Sequence, residues 1–153
     1  MKTCFAFIGI FWMFCSCSTL DVYEKSAVFP SHEWKADQAL PFTFEVKDTA
    51  AFYNFYIIIR HDEAYHYKNI WMNIQYRDPD SVYTIKREFA LADNVKWLGT
   101  GMDDIIEHRI AFNSLPLKLK KKGNYTLTLQ QIMREDPLQH VLNAGVRIEK
   151  VKP

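Results

Sequence analysis

The side chains best suited to moving protons or holding a metal are concentrated in two short stretches, HDEAYH at residues 61–66 and DDIIEH at residues 103–108. Zinc-binding helices place two histidines four apart so that both point the same way. His61 and His66 are five apart, and in a strand an odd offset turns them to opposite faces. The first stretch therefore reads as a turn between two strands. In the second, Asp103, Asp104, Glu107 and His108 lack the DxDxDG spacing of a calcium loop. The preceding WLGTGM reads as an irregular connection into a strand at Ile105, with Gly99 and Gly101 supplying backbone angles that other residues resist. Ser31, Ser81 and Ser114 stand outside any nucleophile-elbow pattern. The remaining catalytic reading pairs His61 with Asp62 or Glu63 and requires those side chains to converge in a cleft. No catalytic residue, metal or cofactor is assigned from these patterns, and the chain reads as a non-enzyme.

Cysteine chemistry points elsewhere. Cys4, Cys15 and Cys17 are the only cysteines, so no partner for a structural disulfide lies beyond residue 17. Lys2 precedes an almost unbroken apolar segment over residues 4–15, which has the length and order of a secretory signal rather than of a spanning helix. Cleavage needs a small residue before the cut. Ser16 provides one before Cys17, whereas Phe14 precedes Cys15. FWMFCSC thus resembles a bacterial lipoprotein signal, which implies a diacylglycerol on the Cys17 thiol and an N-acyl chain on its new amino group. Acyl burial contributes about 0.8 kcal/mol per methylene, and two or more chains anchor stably where one does not. The chain divides into a signal peptide at 1–16, a lipidated N-terminus and tether at 17–24, and one domain at 25–153. Removing residues 1–16 takes away Lys2 alone, so the 19 basic residues fall by one to equal the 18 acidic ones. That balance gives no pointer to nucleic acid.

The elements that must position any site alternate with a period of two. NIWMNIQYR sets Ile70, Met72, Ile74 and Tyr76 on one face, and AFYNFYIIIR does the same with Tyr53, Phe55, Ile57 and Ile59. In RDPDS, Pro79 presets a turn and Asp78 and Asp80 accept local amide bonds. It leads into VYTIKREFA, where Tyr83, Ile85 and Phe89 face opposite Thr84, Lys86 and Glu88, completing a hairpin. PFTFEV, DIIEHRIAF, NYTLTLQQI and LNAGVRIEKV (Leu142, Ala144, Val146, Ile148) read likewise, and DVYEKSAVF is a weaker eighth strand. No helical periodicity of useful length occurs after the signal. These observations predict an all-β antiparallel β-sandwich of about seven to eight strands, preceded by a cleaved N-terminal signal segment.

Binding candidates follow from residues that this pattern leaves over. Trp71 stands on the polar face of its strand beside Asn73, Gln75 and Arg77, a mixture that suits a protein partner or a sugar ring. In MREDPLQ, Pro137 interrupts regular pairing and Arg134, Glu135 and Asp136 sit together, as in a loop that makes or shapes a contact. KLKKKG, with Lys118, Lys120, Lys121 and Lys122, reads as a solvated turn guarding a sheet edge.

The strings FYNFYIIIRHDEAYHYKNIW at 52–71, KWLGTGMDDIIEHRI at 96–110 and GNYTLTLQQIMREDPLQHVLNAGVRIEKV at 123–151, with the cysteine at 17, resemble the gliding motility-associated lipoprotein H (GldH) family of Bacteroidota. The resemblance implies a membrane-anchored envelope lipoprotein, with protein partners in the gliding machinery and its associated secretion apparatus and no catalytic residues. The expected place is the outer membrane, facing the periplasm, and the expected role is docking, with Trp71, Arg134, Glu135 and Asp136 as candidate partner-binding residues. The rival reading is a surface glycan-binding lipoprotein. It requires a stripe of exposed tryptophans drawn from Trp34, Trp71 and Trp97.

Overall fold

The structure is a computed structural model and describes residues 22–151. Cys17, the signal segment and the first part of the tether lie outside those residues. In chain order the strands are β1 (Val22–Val28), β2 (Glu33–Trp34), β3 (Leu40–Val46), β4 (Phe52–Asp62), β5 (Asn69–Arg77), β6 (Val82–Ala90), β7 (Thr100–Met102), β8 (Ile105–Ala111), β9 (Leu117–Lys118), β10 (Gly123–Gln131), β11 (Leu138–Gln139) and β12 (Val141–Lys150). Two antiparallel sheets make the predicted all-β sandwich. One runs β1-β12-β4-β8-β7, with β9 continuing along β4, and the other runs β3-β10-β5-β6. A third, two-stranded sheet joins β2 to β11.

The period-two alternation becomes burial directly. On β3 the residues Phe42, Phe44 and Val46 are buried between exposed Thr43 and Glu45, and on β10 Tyr125, Leu127 and Leu129 are buried. They meet Phe55, Ile57 and Ile59 of β4 and Val146 and Ile148 of β12 in one core. Removing such area from water, at roughly 25 cal/mol per Å² of apolar surface, is the main stabilising contribution. Phe44 stacks on Tyr125 and meets Phe55 edge-on across the sheets, with ring centroids 5.8 and 6.0 Å away.

Four details depart from the sequence reading, each for a local reason. His61 and Asp62 belong to β4 rather than to a turn, because that strand pairs with β8 as far as Asp62 opposite Ile105. On β12 a bulge between Val141 and Asn143 puts Val141 wholly inside and leaves Leu142 only half-buried. Of the two glycines in WLGTGM, Gly99 is needed for close approach, since a Cβ there would lie 2.5 Å from the Glu107 carbonyl, whereas Gly101 faces open space. The left-handed position is Asp103 (φ 53°), in the turn between β7 and β8. Finally, β6 alternates as expected, yet of its apolar row only Phe89 is buried, and Tyr83 and Ile85 are 59% and 42% exposed.

The hairpin turn forms as its residues require. Asp78 Oδ1 accepts from the Asp80 and Ser81 amides, both at 2.8 Å, while the Asp78 amide donates to the Ser81 carbonyl. The weak N-terminal strand is real: Val22–Val28 pairs along its whole length with Glu149–Asn143 of β12.

Candidate functional site

All five histidines of the chain gather at one end of the sandwich, in a network built by β4, β8, the β4–β5 connection and the β2–β11 pair. His61 and His108 are buried on adjacent strands, with Nε2 to Nε2 at 2.9 Å. His61 Nδ1 lies 2.7 Å from the Asp62 carbonyl, which can only accept, so Nδ1 carries the proton. Nε2 of His61 must then accept, and His108 Nε2–H donates to it. Burial keeps both rings neutral, and both nitrogens of His61 are engaged. Burial pushes the His108 imidazolium down to about 4, and the neighbouring His61 adds to the shift. Burial also lowers His61, against the opposing pull of the Asp62 carbonyl and carboxylate.

This pair makes stability acid-sensitive. A histidine whose folded-state pKa lies below its unfolded value of 6.5 leaves stability whole above about pH 6.5, and stability is lost as pH falls toward about 4. The His108 shift alone corresponds to about 3 kcal/mol, at about 1.4 kcal/mol per unit. Urea unfolding at about pH 7.5 and about pH 4.5 should show the midpoint falling steeply on acidification, and His108→Leu should flatten that fall. An equal fall in both proteins would remove the pair from the explanation.

The rest of the histidine network fixes backbone. Asp62 accepts from the Ala64 amide at 2.9 Å and reaches His140 Nδ1 at 3.0 Å and His32 Nδ1 at 3.7 Å. His32 and His140 both have left-handed backbones (φ 56° and 67°), so the carboxylate ties together two turns that flank β2 and β11. Trp97 stands edge-on to His61 at 4.4 Å, and the buried Tyr65 hydroxyl donates to the Asn69 carbonyl. Asp62 and His61 thus point to different partners, and Glu63 is exposed. Among the described residues, no group of three His, Cys, Asp or Glu side chains is placed to hold a metal ion.

Beside this end, on the outer face of the second sheet, a cleft of about 420 Å³ is lined by Tyr67, Asn69, Trp71, Lys86, Ile132, Met133 and Arg134. It unites two sequence-predicted residues, Trp71 and Arg134, that are sixty-three positions apart. The join is made by the backbone: the Ile132 amide donates to the Trp71 carbonyl at 2.9 Å, and the Trp71 amide contacts Met133 Sδ at 3.2 Å. Lys86 Nζ sits 5.5 Å over the Trp71 ring. Glu88, the nearest carboxylate on β6, is taken by Asn69 at 2.5 Å. Lys86 and Arg134 are exposed and have no ion-pair partner among the described residues. The cleft therefore offers an aromatic face and two cations outside any ion pair among the described residues, with the Glu88 carboxylate held on its Asn69 side.

The other two predicted residues support this edge instead of lining it. Asp136 Oδ1 accepts from the Ala36 amide at 2.9 Å, and Glu135 Oε1 faces His66 Nδ1 at 3.3 Å, with Oε2 buried and unpartnered. The loop is also held from below: buried Gln131 donates to the Trp34 carbonyl and accepts from the Met133 amide, and Gln130 donates to the Ala36 carbonyl. The Asp136–Pro137 bond is cis. Lys86, Asn69 and Tyr67 were not assigned to a site from sequence; the available signals were the polar row of VYTIKREFA for Lys86 and, for Asn69, its place two residues before Trp71 on the same face of NIWMNIQYR. Trp34 is fully buried and Trp97 packs on the histidines, so the three tryptophans form no exposed stripe.

Fold and site together define an antiparallel β-sandwich with an aromatic, cationic cleft between a strand hairpin and one adjoining loop. The sequence profile of a family described as GldH lipoprotein matches residues 21–148, and the chain belongs to that family. It is 28% identical over 155 aligned residues to "Gliding motility lipoprotein GldH homolog" of Christiangramia forsetii, covering 95% of this chain and 94% of the relative. It is 25% identical over 142 residues to "Gliding motility lipoprotein GldH" of Flavobacterium johnsoniae, covering 83% and 87%.

Proposed function

We propose that this chain is an envelope lipoprotein, held in the outer membrane and facing the periplasm by lipid on Cys17, that acts without catalysis as a docking component of the gliding-motility machinery and its associated secretion apparatus. The observation that carries the docking role is the Trp71–Arg134 cleft. Two cations and an indole converge there on a strand hairpin and its adjoining loop, and among the described residues neither cation is in an ion pair. Tryptophan and arginine in such a setting are the residue types that dominate protein interfaces. Membership in a lipoprotein family, and relatives whose names carry gliding motility, support the envelope setting.

The anchor and the cleft work together physically. Acyl chains confine the domain to a membrane surface, so a contact too weak in free solution becomes effectively intramolecular and its occupancy rises. Arg134→Ala and Trp71→Ala are each expected to lower recovery of co-purifying envelope proteins by about tenfold or more, while acylation and the unfolding midpoint stay at the wild-type values. Both residues are largely outside the core, so folding should survive. Recovery unchanged in both variants would count against the cleft, and binding to a glycan array with no protein recovered would favour the carbohydrate reading.

A further inference from the structure

The second sheet ends at β6, whose far edge is unpaired among the described residues. Such an edge presents the N–H and C=O groups of every second residue, and proteins ordinarily blunt it with a bulge, a proline or a very short strand. β6 has none of these and is guarded by charge alone, at Lys86, Arg87 and Glu88: nine residues pair with β5 in unbroken register from Val82 opposite Arg77 to Ala90 opposite Asn69.

The inward face of the same strand is open at one end. Tyr83 and Ile85 share the face of the buried Phe89 but remain half-exposed. They line an apolar groove of about 310 Å³ together with Tyr76, Phe112, Leu117 and Leu119. At the other end Arg87 closes the sandwich, bonding the Phe112 carbonyl at 2.5 Å and lying over the Phe89 and Phe112 rings. The open half is therefore Val82–Lys86, long enough to pair with a short extended segment and to take its alternate side chains into the groove.

We propose that this edge is a strand-addition site for an extended segment of a partner protein, apolar at alternate positions and acidic at those between. Backbone pairing would supply affinity, and the groove would supply specificity for every second side chain. Charge selects the partner: among the described residues Arg77, Lys86, Arg87 and Lys118 border the site without a carboxylate ion-pair partner, Asp80 is paired with Lys121, and the one carboxylate of β6, Glu88, lies beyond the open half, bonded to Asn69. Two copies of this edge would bring those cations together, which disfavours self-pairing. The groove lies on the opposite face of the hairpin from the Trp71–Arg134 cleft, and Lys86, which lines that cleft, is the cation the two sites share.

The test titrates the folded domain with a fluorescent short peptide of alternating glutamate and valine, read by anisotropy. Saturable binding is expected, with lysine–valine peptide binding far more weakly. Ile85→Glu and Tyr83→Glu, both at exposed positions, should each weaken binding by about tenfold with unchanged circular dichroism. N-methylation of alternate peptide amides should abolish binding in one of its two phases and spare it in the other, as only one row of donors faces the edge. Absence of binding, equal binding of both peptides, indifference to both methylation phases, or a dimer that buries β6 would overturn the proposal.

Discussion

Cys17→Ala is expected to abolish acylation of the chain, while Cys15→Ala leaves it intact. The thiol at residue 17 is the only one preceded by a small residue, Ser16, at the point where an apolar signal ends. Without a thiol there, no diacylglycerol is added and no new amino group is made available for the N-acyl chain. At about 0.8 kcal/mol per buried methylene, loss of all chains removes far more binding energy than any contact of the domain supplies. Metabolic labelling with a clickable fatty acid should therefore mark the wild type and Cys15→Ala and leave Cys17→Ala dark. Label retained in Cys17→Ala, or lost in Cys15→Ala, would place the anchor elsewhere.

Trp34→Ala should be the most damaging single change within the described domain, costing about 3–5 kcal/mol, the range for a fully buried aromatic reduced to a methyl. Its ring is wholly inside, stacks on Phe29 at 5.5 Å, and donates through Nε1 to the Gln38 carbonyl at 2.9 Å. Truncation leaves a cavity and an unpaired carbonyl together. It also loosens β2, which pairs Trp34 with Leu138 and so holds the loop that carries Arg134. Urea unfolding should show the loss, and partner recovery should fall with it. Leu98→Ala, at a position 53% exposed, should change stability by no more than about 0.5 kcal/mol. A loss for Trp34→Ala no greater than the Leu98→Ala value would refute the account of this corner.

The eight strands of seven residues or more were legible from alternation alone, since inside and outside are decided residue by residue. The two- and three-residue strands were not, because Glu33–Trp34 and Leu138–Gln139 are too short to alternate and exist only by pairing across a hundred positions. The exposure of β6 was not legible for a related reason: alternation tells which residues share a face, but whether Tyr83 and Ile85 on that face are covered depends on the opposite sheet, which no local pattern records.

The site divides in the same way. Trp71 stood out as an aromatic on a polar face, and MREDPLQ as a charged, proline-broken loop, both local signals. That Arg134 joins Trp71 while Glu135 and Asp136 turn away follows from the β5–β10 register and from the Ala36 and His66 contacts, which are tertiary. The His61–His108 pair was hidden for the same reason, since forty-seven positions separate its members and only the β4–β8 register brings them face to face.

The most direct test of the docking claim is photo-crosslinking in intact envelopes, with a photoreactive amino acid placed at position 71 of the full chain and, as a control, at position 45 on exposed β3. The account predicts a discrete adduct with an envelope protein from position 71 that disappears when Arg134→Ala is added, and none from position 45. No adduct from position 71, or the same adducts from both positions, would contradict it.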